Sequence, residues 1–260
     1  MGVVTRVALV TGAARGIGAA TVRALAADGW CVVATDRCAD DPRLPYPLGT
    51  RAELDALAGD SVLVAVADTT SPADLQRVVA LAERHFGGLD AALAVAGVVA
   101  GGVPLWDQDP DEIAAVLDVD LYGVIGLARA AIPALLRRPV PRTGRFVAVS
   151  SAAATRGLPM LAAYCAAKAG VNGLVRGLAA ELRGTGITAS CVSPGSTRTP
   201  VLQESARLYD LADVEHFADQ HTLERLLEPE EVAAALAWLA GPHSSGVTGA
   251  DVVVDGGLSL

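Results

Sequence analysis

A serine, a tyrosine and the chain's only lysine fall within one stretch, SAAATRGLPMLAAYCAAK, as Ser151, Tyr164 and Lys168. On a helix that runs on through Cys165–Leu182, the four-residue step sets Lys168 one turn from Tyr164 on the same face. The phenol and the ammonium are then neighbours. A phenol with an ordinary pKa of about 10 is a poor base at neutral pH. Holding it near 7 takes about 4 kcal/mol of preference for the phenolate, which a cation in a partly desolvated site can supply. All the other basic residues are arginines, so the single compact ammonium stands where it differs chemically from a planar guanidinium. A tyrosine four residues before a lysine arises by chance on many helices. The upstream serine and the glycine-rich segment near the N-terminus give this pair its meaning.

Alternating strand and helix signals predict how these groups are delivered to one place. Val7–Thr11 is a short β-branched run ending in TGAARGIG, after which Ala19–Ala27 reads as a helix. Gly12, Gly16 and Gly18 permit a tight turn and place a helix N-terminus where a pyrophosphate can sit. A second strand, Cys31–Thr35, ends in Asp36, an acid about eighteen residues after Gly18. There it can hydrogen-bond an adenosine ribose diol and repel a 2′-phosphate, which favours NAD over NADP. The neighbouring Arg37 pulls the other way.

Arg37–Thr50 carries Pro42, Pro45 and Pro47 with Asp40 and Asp41 and cannot be a regular helix. It reads either as a surface loop or as a proline-stiffened flap over the adenosine end of a dinucleotide. A short helix, Arg51–Ala58, precedes a third strand, Val62–Ala67, which ends at Asp68 within reach of an adenine amino group. Ser71 before Pro72 marks a helix over Ala73–Phe86. The next strand, Ala91–Val95, runs into Ala96–Gly97. Asp109–Arg137 reads as one long helix. Phe146–Ser150 is a fifth strand that delivers Ser151 to the rim holding the glycine loop.

Thr188–Val192 is a sixth strand, ending in PGSTRT at 194–199, whose hydroxyls can bond a carboxamide such as that of nicotinamide. Val201–Thr222 fits a mobile apolar substrate lid and two ordinary amphipathic surface helices equally well. Pro229–Leu239 and Ala250–Val254 read as a last helix and a last strand. Trp106, Met160, Leu161, Leu202 and Tyr209 are candidates for a mostly apolar substrate pocket.

The composition narrows the function classes. A length of 260 residues without a linker predicts a single domain over 1–260. A net charge of −9 without a basic block argues against nucleic acid and anionic membrane as partners. Hydrophobic residues make up 52% of the chain and its mean hydropathy is +0.42, a surplus of alanine, valine and leucine better suited to subunit contacts than to a membrane span. The start, MGVVTRVALVTG, lacks the regions of a signal peptide. Cys31, Cys38, Cys165 and Cys191 have no C-x-x-C spacing and suit free thiols in a reducing cytoplasm. His85, His216, His221 and His243 are scattered, so no metal site is expected.

With TGAARGIG, Asp36, Asp68, Ser151, Tyr164, Lys168, PGSTRT and the terminal VTGADVVVDGG all in order, the whole chain resembles the short-chain dehydrogenase/reductase family. The resemblance implies an α/β fold, a doubly wound (Rossmann) parallel sheet of about seven strands with helices on both faces, and assembly as a homo-oligomer, usually a tetramer or dimer, here expected as a tetramer. It implies hydride transfer between NAD and a small alcohol or its carbonyl. Ser151, Tyr164 and Lys168 would be catalytic, with Asp120 extending the proton path. Gly12, Ala14, Arg15, Gly16, Ile17, Gly18, Asp36, Arg37, Asp68, Thr69, Ala96, Gly97, Tyr164, Lys168, Pro194, Gly195, Thr197 and Thr199 would bind the cofactor.

Two positions depart from the family pattern. Its N-N-A-G motif is Ala94, Val95, Ala96 and Gly97 here, and its catalytic asparagine is Asp120, followed by Leu121, Tyr122 and Gly123. Asn172 is the chain's only asparagine, so compositional drift accounts for both changes. An acid at 120 would hold the charge of Lys168 more firmly and could disturb the proton relay.

More narrowly, the proline-rich segment after Asp36 and the run around Tyr164 look like the mycofactocin-coupled branch. That resemblance implies a nicotinamide that stays bound and is reoxidised in place by a peptide-derived carrier. An ordinary dehydrogenase with exchanging NAD(H) shares every catalytic residue. An epimerase or dehydratase would need a larger C-terminal region, and a non-catalytic NAD sensor would have no need of the serine, tyrosine and lysine together.

Overall fold

The computed structural model describes residues 6–260; part of the leader-peptide reading falls on residues 1–5, outside the described residues. Short runs of small and β-branched residues form the strands of a parallel sheet. They are β1 (Val7–Thr11), β2 (Cys31–Asp36), β3 (Val62–Val66), β4 (Ala91–Ala94), β5 (Arg145–Val149), β6 (Thr188–Pro194) and β7 (Asp251–Val254). The central β1, β4 and β5 are buried on both faces, and the edge strands β3 and β7 are partly exposed. Every pairing is parallel, in the order β3-β2-β1-β4-β5-β6-β7. The strand order reverses between β1 and β4. Open α/β sheets bind ligands at such a switch point, beyond the carboxyl ends of the strands.

Helices cover both faces. On one side α1 (Gly16–Ala27), α2 (Arg51–Asp55) and α8 (Pro229–Ala240) close over Ala8, Val10, Leu93 and Val147. On the other, α3 (Pro72–Phe86), α5 (Gly123–Leu136) and α6 (Ala162–Glu181) close over Leu9, Val33, Ala92 and Phe146. Two further helices are α4 (Pro110–Leu117) and α7 (Pro200–Leu208). Helix α3 begins where its residues call for it, with the Ser71 hydroxyl accepting from the Asp74 amide and Pro72 in the first turn. Asn172 ties α6 to the sheet edge by donating to Asp251 and accepting from the Cys191 thiol.

Three expectations need correction. Helices α1 and α6 start earlier than their apolar periodicity indicated, at Gly16 and Ala162, because glycine and alanine leave no hydrophobic mark on the first turn. The tract 109–137 is not one regular helix. A π-helical turn, Asp118–Tyr122, separates α4 from α5 and holds Asp120 fully buried; such bulges recur at functional sites. Although Pro110–Leu136 is long and apolar enough to cross a membrane, Val124, Leu127, Ala128 and Ala131 belong to the core. Residues 200–222 form α7 and a 3₁₀ segment, Val214–Gln220. Leu202, Ala206, Phe217 and Leu226 cluster between them.

Candidate active site

The carboxyl ends of β1, β2, β4, β5 and β6 open on one cavity of about 670 Å³. At the β1 end the chain turns through Gly12 directly into α1. A Cβ on Gly18 would stand 2.0 Å from the Gly12 carbonyl oxygen, so only glycine lets the loop close. The first turn of α1 has no side-chain cap, whereas Thr50, Ser71 and Thr199 cap α2, α3 and α7. Its amides point where an anionic group is held best, at the positive end of the helix dipole. Arg15, Gly16, Ile17 and Gly18 line this end of the cavity.

Asp36 sits at the tip of β2. Its carboxylate accepts from the amides of Ala14 (3.1 Å) and Cys38 (3.2 Å) while facing the cavity. Arg37 turns its guanidinium to Asp41 (2.8 Å) and Asp68 (3.3 Å), and Thr69 completes this wall. Ala96 and Gly97 form the floor beyond β4, and Pro194, Gly195, Thr197 and Thr199 face them from β6. These groups fit a dinucleotide: open amides for the pyrophosphate, an acid for the ribose and hydroxyls for the carboxamide. Of the predicted cofactor residues, Ala14 alone does not line the cavity. It is buried and acts through the amide that holds Asp36.

Helix α6 brings Tyr164 and Lys168 together as their spacing requires, with Lys168 Nζ 5.6 Å from the Tyr164 ring centre. The ammonium is buried, 3.3 Å from Asp120 Oδ2 and 3.3 Å from the Val149 carbonyl oxygen to which it donates. Asp120 Oδ1 accepts from the Val98 amide at 2.8 Å. A Cβ at Gly97 would lie 3.3 Å from Lys168 Nζ, so the glycine leaves the pair its space. Ser151 Oγ accepts from the Ala153 amide at 3.1 Å, which leaves its single proton for the neighbouring Tyr164 phenol or for a substrate oxygen.

Burial disfavours the Lys168 ammonium, but Asp120 and Tyr164 outweigh it and hold the group above its ordinary value. Burial pushes the Asp120 carboxyl up, against the opposing pull of Lys168 and the Val98 amide. Tyr164 departs from the expectation of a phenol near neutrality. Burial raises it above its ordinary value and Asp120 adds to the rise, while Lys168 and Ser151 offset only part. The acid in place of the family's amide therefore weakens the lysine's effect on the phenol.

The proline-rich loop supplies groups that local sequence patterns did not single out. The Tyr46 hydroxyl accepts from the Val99 amide at 3.0 Å, and Tyr46, Leu48 and Gly49 line the cavity. Leu44 and Tyr46 pack with Val98 and Ala115. Arg43 joins Asp41 (2.9 Å) to Asp118 (2.7 Å) on the π turn, and Arg15 donates to the Pro47 carbonyl.

The substrate end is apolar, walled by Leu158, Leu161, Leu202, Tyr209 and Phe217, with Arg156 at its edge. Leu161, Leu202 and Tyr209 stand where expected. Trp106 does not: it is 84% exposed on a 3₁₀ turn, Leu105–Asp107. Met160 lies outside the lining and uses its carbonyl to accept from Gly102 and Gln108.

Comparison with known proteins agrees with this geometry. A family model described as enoyl-(acyl carrier protein) reductase matches residues 12–259. The A-factor type gamma-butyrolactone 1'-reductase (1S-forming) of Streptomyces virginiae is 36% identical, over 98% of this chain and 96% of its own. Cis-4-hydroxycyclohexanecarboxylate dehydrogenase of Sinomonas cyclohexanicum is 38% identical, over 98% and 96%. The structure of carveol dehydrogenase from Mycobacterium avium in complex with NAD superimposes with a TM-score of 0.91 at 30% identity, covering 97% of each chain. With the glycine loop, the buried lysine and the tyrosine in place on a seven-stranded parallel sheet, the chain belongs to the short-chain dehydrogenase/reductase family, oxidoreductases of alcohol and carbonyl groups.

Proposed function

We propose that this protein interconverts a small, mostly apolar secondary or primary alcohol and its carbonyl, using NAD that stays on the protein between turnovers. The observation that carries the chemistry is the convergence of Ser151, Tyr164 and Lys168 on one cavity. Bound NAD supplies the two-electron hydride chemistry. In oxidation Tyr164 Oη takes the carbinol proton as the carbonyl forms, and in reduction it returns the proton to the alkoxide. Ser151 Oγ donates to the same oxygen and stabilises the charge that develops there. Lys168 holds a positive charge beside the phenol, and Asp120 fixes that ammonium.

The Asp36 carboxylate, with Arg37 already paired to Asp41 and Asp68, favours a free ribose diol and hence NAD over NADP. Retention rests on the loop over 37–50. It is tied to the glycine loop through Arg15 and to the π turn through Arg43, so both anchors must break before a dinucleotide can leave. In this reading a carrier such as mycofactocin recycles the cofactor in place. Arg156, a cation at the edge of an apolar wall, suits substrates bearing an acid or other acceptor remote from the carbinol. The exposed Trp238 on α8 and Val253 on β7 support association into a homo-oligomer, and the free thiols suit the cytoplasm.

The test is the ultraviolet spectrum of extensively dialysed protein, with any nucleotide released by denaturation and identified. Stoichiometric NAD(H) is expected. Protein that comes out empty and turns over with added NAD would refute retention and leave an ordinary alcohol dehydrogenase with exchanging cofactor.

A further inference from the structure

His221 is not used by the chemistry above, yet it lies where three segments around the cavity meet. The side chain is 2% exposed. Its Nε2 accepts from the Ser196 amide at 3.1 Å, within the 194–199 loop. Its ring packs on the C-terminal turn, where a Cβ on Gly256 (φ +61°) would stand 2.8 Å from Nδ1. Just beyond it, Leu223 donates to the Gly256 carbonyl and the Thr222 hydroxyl to that of Gly257. On the other flank Leu227 donates to the Ser196 carbonyl at 3.0 Å. Imidazole is the titratable group at the centre of this junction, and the Ser196 bond needs Nε2 as an acceptor, with the proton on Nδ1.

We propose that neutral His221 is a positioning residue for the cofactor: by accepting from Ser196 it sets the 194–199 loop against the nicotinamide end, and a proton on Nε2 releases that loop. The proposal rests on the reading that this loop holds the dinucleotide. The groups facing the ring pull in both directions. Burial and the Arg225 and Arg156 guanidiniums disfavour its charged form, the Arg225 backbone and the Asp255 carboxylate favour it, and the balance lies below the ordinary histidine value. The neutral form therefore prevails at pH 7, and loosening begins on the acid side of the histidine range.

The test follows release of NADH from the whole protein, read as loss of energy transfer from tryptophan to nicotinamide when excess NAD is added, from pH 7.5 to 5.0. Wild-type release should accelerate about tenfold toward acid, the scale of one hydrogen bond lost and one amide left unpaired. In His221→Gln the side-chain oxygen accepts from Ser196 without titrating, so release should stay slow and flat with pH. In His221→Ala it should be fast throughout. A flat wild-type profile, or an acid acceleration surviving in His221→Gln, would overturn the proposal, and the glutamine variant carries the test if the alanine variant does not fold. Protein that binds no NADH would overturn the cofactor reading as well, a result distinct from either.

Discussion

At the residue scale, the proposed chemistry turns on how far Lys168 can favour the Tyr164 phenolate, and Asp120 opposes it. Asp120→Asn removes a negative charge that raises both Tyr164 and Lys168. The phenol should titrate lower, moving the rising limb of the pH–rate profile for alcohol oxidation toward acid. An unmoved limb would show that Asp120 has no electrostatic role there. Ser151→Ala should lower kcat/KM by about 10²- to 10³-fold, the cost of one donor to a developing oxyanion, with cofactor binding unchanged by titration. Tyr164, Lys168 and Ser151 were legible in the sequence because helical spacing and motif order fix their neighbours. The rise of the phenol was not, since it depends on burial contributed by segments far away in the chain.

At the element scale, the strands announced themselves through short apolar runs bounded by turns, such as the buried VALVT of β1 and the half-buried VLVAV of β3. The π turn left no such trace, because one extra residue in a helix barely alters its apolar period. Trp106 was misplaced for a related reason: next to glycine and proline, its direction is set by the turn and not by hydrophobicity. The loop over 37–50 was legible as irregular from its prolines, but its anchors on Asp118 and Val99 join parts distant in sequence. Arg43→Ala should leave the catalytic groups in place and speed NAD release several-fold, measured as loss of bound nucleotide on dialysis. Retention equal to wild type would remove the loop from the account.

At the scale of the whole molecule, acid should weaken the fold in two stages. The folded-state pKa of His221 lies below its unfolded value, so its contribution is complete above about pH 6.5 and falls as the unfolded chain takes up a proton first. Glu231, held at about 2 by the Arg225 guanidinium and the Glu228 amide, is half-exposed and loses its solvent-screened contribution only from about pH 4.3 downward. Urea midpoints across pH 3 to 8 should show the first decline in wild type and not in His221→Gln. The buried Leu236, where α8 closes on the sheet, should cost about 2–5 kcal/mol as Leu236→Ala, with activity per folded molecule preserved.

The most direct test of the central claim is a single-turnover measurement on Tyr164→Phe, which removes one oxygen from the cavity and leaves its packing intact. With alcohol substrate in excess, nicotinamide reduction followed at its near-ultraviolet absorbance should slow by at least about a thousandfold, while the variant still binds NAD(H). Turnover near the wild-type rate would contradict the assignment of Tyr164 as the group that moves the proton.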